Sequence, residues 1–178
     1  RGVKAIHCPH ANLTSHGFSK TPSLLAKGVS IGLGSDGSSS YSSSIFEAAR
    51  ILRLAMNAYW GLPAFDPLVM TCKEVLEMAT MGGARAIQHE QELGTVEVGK
   101  KADLILVNLR QPHMMPTHNL INTLVESASG HDVTDSIIDG KVVMKNREVL
   151  TLDEEKILRE SEIRLKDLSI RTGWEPSN

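Results

Sequence analysis

A short helical stretch set between two apolar runs is the feature that most restricts the fold. Val3 to Cys8 (VKAIHC) and Val29 to Gly34 (VSIGLG) read as strands. Between them, Thr21 to Lys27 (TPSLLAK) reads as a helix, with Pro22 in its first turn and Gly28 as its stop. A crossover of this length with a helix inside it joins parallel strands, and such units are right-handed. The front of the chain is therefore predicted to be an α/β unit.

The periods that follow supply the covering layers. Ser44-Ile-Phe-Glu47 has the form of a capping box, and Ile45, Ala48, Ala49, Leu52, Met56 and Tyr59 follow at helical spacing. Thr71-Cys-Lys-Glu74 repeats the signature before VLEMAT, and Gly82-Gly83 interrupts the pattern before ARAI resumes it. Beyond Leu93 the texture changes to GTVEVGKKADLILVNL and then SIIDGKVVMKNREVL, which read as antiparallel strands with Asp139-Gly140 as a hairpin turn. Leu120, Ile121, Leu124 and Val125 predict a short helix between His118 and Ser129, and Thr151-Leu-Asp-Glu154 opens a final charged helix ending near Gly173. The expected organisation is an α/β unit over residues 1–91, a β unit over 92–150, and a C-terminal helix and tail over 151–178.

Composition narrows the function. A formal charge of −2 and no long basic run leave out the electrostatic footprint of a nucleic-acid or anionic-membrane binder, so the expected partner is a small molecule. No apolar segment approaches the roughly 20 residues that span a bilayer, and no signal-peptide core is visible, which places the expected site of action in the cytoplasm. Cys8 and Cys72 form neither a metal-spacing pair nor a disulfide framework; both are expected to be small buried hydrophobes. The chain begins at Arg1 and is in a strand-like run within two positions, as though taken from something longer.

Asp36 is where chemistry is expected. It lies just past the C-terminal end of the second parallel strand, in GLGSDGSSSYSSS, and active sites of open α/β sheets and (β/α) barrels are built at that end. His7 ends the preceding strand on the same side. An aspartate before glycine is most often a turn former, a histidine at a strand end is most often a hydrogen-bonded structural residue, and a serine run is ordinarily a linker. Against the linker reading, this run sits between a buried strand and a capped helix, where loops carry function. His10 and His16 follow His7 with Pro9 between, a spacing that does not make a ligand pair. Gly94 to Lys101 (GTVEVGKK) satisfies Gly-x4-Gly-Lys, but Lys101 replaces Ser or Thr and the β-branched interior suits a strand better than a phosphate cradle.

Taken together, HCPHAN at His7, GLGSDGSSS ending at Ser40, ELGTVEVGKKADLILVNL, QPHMMPTHN and SIIDGKVVMKNREVL resemble, in order, the C-terminal portion of the amidohydrolase superfamily. The nearest branch holds methylthioadenosine/S-adenosylhomocysteine deaminases, guanine deaminases and triazine hydrolases. The resemblance implies the last two strands and helices of a (β/α)8 barrel, the C-terminal part of a small β-sandwich, and a closing helix. It also implies one divalent metal, zinc or alternatively iron, of whose ligands this chain supplies Asp36, the others lying outside it. Asp36 would bind the metal and accept the proton of the attacking water, while His7, Asn12 and Ser40 would line the substrate. Ala11 stands where the family carries serine, and Tyr41 where asparagine is common. His113 and His118 fall in what resembles a sandwich-edge loop and read as structural.

The expected reaction is hydrolysis of a C–N bond, a deamination, on a purine-like or triazine-like ring, with the isolated chain inactive. A hydrolytic dechlorinase of the same branch is the alternative within enzymes, and an α/β binding module the alternative outside them. Partners are expected to be the missing N-terminal part or a second copy in a dimer. Open strand edges in the isolated chain would make it prone to association.

Overall fold

The computed structural model describes residues 2–37, 42–66 and 68–174. Strands β1 (Lys4–His7) and β2 (Ser30–Leu33) pair in parallel, with Lys4 opposite Ser30 and His7 opposite Leu33. The chain leaves β1 through a single helical turn α1 (Pro9–Ala11), a π-helical turn (Asn12–His16) and α2 (Thr21–Ala26), and Gly28, at φ +74°, ends the crossover in the left-handed region. The strand-helix-strand unit is present, each strand being shorter by a residue or two than its apolar run.

Helix α3 (Ile45–Met56) supplies the main covering face. Ala48, Ala49, Leu52 and Met56 are buried against Ile31 and Leu33 of β2, at the i, i+4 and i+8 spacing of one helical face. Two expectations for this helix are corrected. Only the forward half of the capping box forms, the Ser44 hydroxyl accepting from the Glu47 amide at 3.4 Å; the Glu47 carboxylate is turned instead toward His10 Nε2, 3.8 Å away. Tyr59 is not on the covering face, because the helix widens into a π turn at Asn57–Gly61 and leaves Tyr59 exposed, stacked on Phe18 at 4.4 Å between ring centroids.

Helix α4 (Cys72–Glu77) has the full capping box: the Thr71 hydroxyl accepts from the Glu74 amide, and the Glu74 carboxylate accepts from the Thr71 amide at 2.7 Å. The glycine pair after it does not break the helix as its composition suggests. The chain continues through a π turn (Met78–Gly82) straight into α5 (Gly83–Ala86). The glycines are there for contact. A Cβ on Gly82 would meet the Ile31 carbonyl oxygen at 2.5 Å, and one on Gly32 would meet Gly83 Cα at 2.9 Å. Helix and strand touch backbone to backbone.

The second sheet has four antiparallel strands in the order β3 (Leu104–Val107), β4 (Val133–Ile138), β5 (Lys141–Lys145) and β6 (Glu148–Val149). Asp139 and Gly140, at φ 49° and 76°, make the two-residue turn that joins β4 to β5. The strand expected in TVEV is absent: residues 94–101 run through bends and a turn at Val98-Gly99, and Val96 and Val98 are exposed. Lys100, the lysine of the phosphate-loop look-alike, donates to the carbonyls of Glu90 and Leu93 at 2.9 and 3.3 Å, so the β-branched run is pulled into a lysine-tied loop. Between β3 and β4 lies α6 (Leu120–Glu126), capped by Asn119.

Arg50 ties this region to α3, donating from Nε to the Glu126 carbonyl at 2.8 Å and from Nη2 to the Ala128 carbonyl at 2.6 Å. The last helix, α7 (Glu154–Thr172), starts two residues later than a cap at Thr151 would place it, since Asp153 is the residue whose carboxylate caps the Lys156 amide. Among the described residues no helix is long and apolar enough to cross a membrane.

Candidate functional site

The end of the strand pair is closed by a hydrogen bond from the Gly34 amide to the His7 carbonyl at 2.9 Å, so the two C-terminal ends are held level. Three residues beyond β2, Asp36 sits at φ 64°, in the left-handed region that aspartate tolerates better than most side chains. Its Oδ1 accepts from the Gly37 amide at 2.7 Å, and the residue is exposed. One carboxylate oxygen is thus engaged by its own turn, and Oδ2 has no hydrogen-bond partner among the described residues.

Strand pairing decides which side chains share the surface around Asp36. Ile6 and Cys8 alternate with His7 along β1 and lie over the glycines of β2: a Cβ on Gly34 would come within 2.7 Å of Ile6 Cγ2 and 3.0 Å of Cys8 Sγ. Cys8 is therefore half-buried beside the Asp36 turn, not a core hydrophobe. Burial pushes its thiol pKa up, the Asp36 carboxylate adds to the rise, and a hydrogen bond with the Asp36 backbone opposes it. Cys72 is buried as expected.

His7 faces the other way, into the core. It is 4% exposed, and its Nδ1 lies 2.7 Å from the hydroxyl of Thr21, which is 0% exposed. Burial lowers its pKa. Its Nε2 is closed to solvent and has no hydrogen-bond partner among the described residues. Asn12, half-buried, opens the π turn above β1. Ser40 lies outside the described residues. The strand ends thus bring Asp36 and Cys8 together on one face and place His7 with Thr21 on the other.

Two of these residues were not foreseen as neighbours of the site. The period of two that runs through Ile6 carries Cys8 to the Asp36 side, so the sequence held that signal. Thr21 held none: its contact with His7 bridges 14 positions and depends on where the crossover lands. In the segment between β3 and α6, His113 Nε2 lies 3.0 Å from Asp132 Oδ2, while His118 is exposed.

Residues 1–143 match the Amidohydrolase family. The chain belongs to the amidohydrolase family, and its α/β architecture is that family's. Among its relatives is the 5-methylthioadenosine/S-adenosylhomocysteine deaminase of Desulforudis audaxviator, 43% identical over 164 residues that make up 91% of this chain and 37% of the relative. The 5'-deoxyadenosine deaminase of Methanosarcina acetivorans is 38% identical over 175 residues, covering 97% of this chain and 39% of its own length. A crystal structure of an adenosine deaminase from Xanthomonas campestris with bound zinc superposes with a TM-score of 0.87 at 33% identity, over 97% of this chain and 38% of that one. The chain spans about two fifths of the length of these proteins.

Zinc is bound in that neighbour, and the described residues of this chain do not by themselves make a site for it. No group of three or more His, Cys, Asp or Glu side chains is placed among them to hold a metal ion. Asp36, whose Oδ2 has no partner among the described residues, offers a single donor, which is too few for a protein zinc site.

Proposed function

We propose that this chain is the C-terminal portion of a metal-dependent amidohydrolase that hydrolyses a C–N bond of a purine-like ring, releasing ammonia. The observation that carries the reading is the position of Asp36: an exposed carboxylate, one oxygen of which has no partner among the described residues, past the C-terminal end of a parallel strand in a chain of this family. β1 and β2 stand as the last two strands of a (β/α)8 barrel, the antiparallel sheet as the C-terminal part of a β-sandwich, and α7 as the closing helix. The remaining metal donors lie outside this chain. Deamination is favoured over dechlorination by the names of the two relatives described above, a 5-methylthioadenosine/S-adenosylhomocysteine deaminase and a 5'-deoxyadenosine deaminase.

Within that site, Asp36 Oδ2 is the group positioned to take up the proton released when water is activated, because its partner oxygen is already held by the Gly37 amide. Ile6 and Cys8 form an apolar wall next to it, and Asn12 and Ser40 contribute polar contacts to the substrate from the two loops. His7 supports the strand end from behind.

A hybrid chain tests the proposal. Residues 1–178 are fused behind the N-terminal portion of the Xanthomonas campestris deaminase in place of its own matching segment. A folded, zinc-containing hybrid is expected to release ammonia from adenosine or 5'-methylthioadenosine, and Asp36→Asn is expected to lower kcat at least 100-fold with zinc retained or weakened. The isolated chain is expected to show no turnover. A folded, zinc-loaded hybrid without activity, or one indifferent to Asp36→Asn, would refute the reading.

A further inference from the structure

We propose that the outward face of α3 and the turn after it form a self-association surface, through which two copies of this chain pair about a twofold axis. Leu54 stands two residues after Leu52 and two before Met56, both buried against β2, so it points away from the sheet. Ala58 and Leu62 follow at steps of four, and all three are exposed. Leu62 opens a 3-10 turn (Leu62–Ala64), and Phe65 closes it at φ 54°, its amide donating to the Leu62 carbonyl at 3.1 Å. A left-handed conformation is uncommon for a bulky side chain, and here the ring is 94% exposed. Tyr59 is already packed on Phe18, 4.4 Å away between ring centroids, and on Trp60 at 5.9 Å, so it loses little freedom when covered.

The area fits a dimer. Leu54, Tyr59, Leu62 and Leu68 are 60–72% exposed, and Phe65 more so. With aromatic side chains of about 150–250 Å², the five present on the order of 600 Å² of largely apolar surface, at the top of the range of about 300–600 Å² for a single patch on a monomer. A homodimer interface of standard size buries about 800 Å² on each partner, about 65% of it apolar, so this patch supplies the apolar share that a stable dimer needs.

Charge selects a second copy as the occupant. Leu54 to Phe65 is a run of twelve residues with no Asp, Glu, Lys, Arg or His. The charges at its two ends are drawn back from the face: Arg53 Nε lies 4.0 Å from Glu126 Oε1, and Asp66 Oδ1 accepts from the Leu68 amide at 2.9 Å. Near a twofold axis each residue meets its own copy, so a charge there opposes its like, and a surface without charge is the kind that can face itself. A longer chain would not cover this face by completing the sheet. Strand pairing extends the sheet only through the open edges of β1 and β2, sideways from α3.

The inference does not rest on the deamination reading, since an inactive hybrid would leave it untouched. Sedimentation of the 178-residue chain over a range of concentrations is expected to show a monomer–dimer equilibrium. Phe65→Gly removes the ring and suits the positive φ. It is expected to raise the dimer dissociation constant by roughly 10-fold or more, while the melting point at the lowest concentration holds or rises. Leu54→Asp places a carboxylate in the contact and is expected to leave the chain monomeric. Open strand edges also associate, so the contact is located directly with a photoreactive p-benzoylphenylalanine at position 65, photolysed in a mixture of 15N-labelled and unlabelled chains. Cross-links between copies are expected within residues 54–68. A chain that stays monomeric, a dimer indifferent to both Phe65→Gly and Leu54→Asp, or cross-links that land elsewhere on the second copy overturns the inference.

Discussion

Gly82 packs so closely on Ile31 that a Cβ would stand 2.5 Å from the carbonyl oxygen of the strand residue, whereas a Cβ on its neighbour Gly83 would find only the Met78 carbonyl, at 3.8 Å. Two adjacent glycines are thus under opposite constraints. Gly82→Ala has backbone on the far side and nothing flexible to move, so it is expected to cost about 1–3 kcal/mol. Gly83→Ala relieves a glycine of its helical penalty in open space and is expected to be neutral or to stabilise by up to about 1 kcal/mol. Thermal unfolding of the two variants checks this: the melting point should fall for one and hold or rise for the other. Equal losses would mean that the glycines serve only as a helix interruption.

Arg50 holds the chain that joins the helical layer to the antiparallel sheet. Its guanidinium spans two carbonyls, of Glu126 and Ala128, that are left open where α6 ends, and the planar fork reaches both at once. Arg50→Ala is expected to lower stability by about 1–2 kcal/mol. Arg50→Lys should recover only part of it, because an ammonium cannot bridge the same pair. Hydrogen exchange of the amides from Ser127 to Asp132 should accelerate in both variants, with the helices α3 and α4 unaffected.

How much of this was legible depends on how local the signal was. The hairpin turn at Asp139-Gly140 and the Thr71–Glu74 cap rest on residues within a few positions of one another, the parallel pair rests on one short helical crossover, and each stands where the sequence puts it. At Gly82-Gly83, composition does not distinguish a glycine that ends a helix from one that lets a strand approach; the partner, Ile31, is some fifty positions away. TVEV has strand composition yet is an irregular exposed loop beside the carbonyls that Lys100 binds, a tie that outweighs a propensity worth no more than about 1 kcal/mol. At the site, the position of Asp36 was readable from the strand that precedes it. The burial of His7 on the opposite face from Asp36 follows from the period of two, but its tie to Thr21 required the folded crossover.

Asp132 should govern part of the acid limb of stability. Burial by itself raises its carboxyl pKa, but hydrogen bonds from His113 Nε2 at 3.0 Å, the Ser129 amide at 2.8 Å and the Ser129 hydroxyl at 2.9 Å outweigh it and hold the pKa below the usual 3.8. A carboxyl depressed in the folded state contributes stability above its unfolded pKa and loses that contribution as pH falls through the folded value. Urea midpoints measured from pH 2 to pH 7 should therefore decline below about pH 4 in the wild type. Asp132→Asn should be less stable at neutral pH and show a shallower decline. A variant whose profile runs parallel to the wild type would remove Asp132 from the account.

Cys8 gives a chemical readout of where the Asp36 carboxylate stands. Both thiols have pKa values raised by burial, so both should react slowly at pH 7 with a neutral disulfide reagent, and half-buried Cys8 should react before buried Cys72. The Asp36 carboxylate raises the Cys8 pKa further, and Asp36→Asn removes that contribution while keeping the side-chain size. Labelling of Cys8 followed by mass spectrometry should accelerate by a few-fold in Asp36→Asn, with the Cys72 rate unchanged. The acceleration should shrink in high salt, where the carboxylate is screened in the wild type as well. Equal Cys8 rates in the two proteins would put the carboxylate out of reach of the thiol, and with it the shared face on which the proposed site is built.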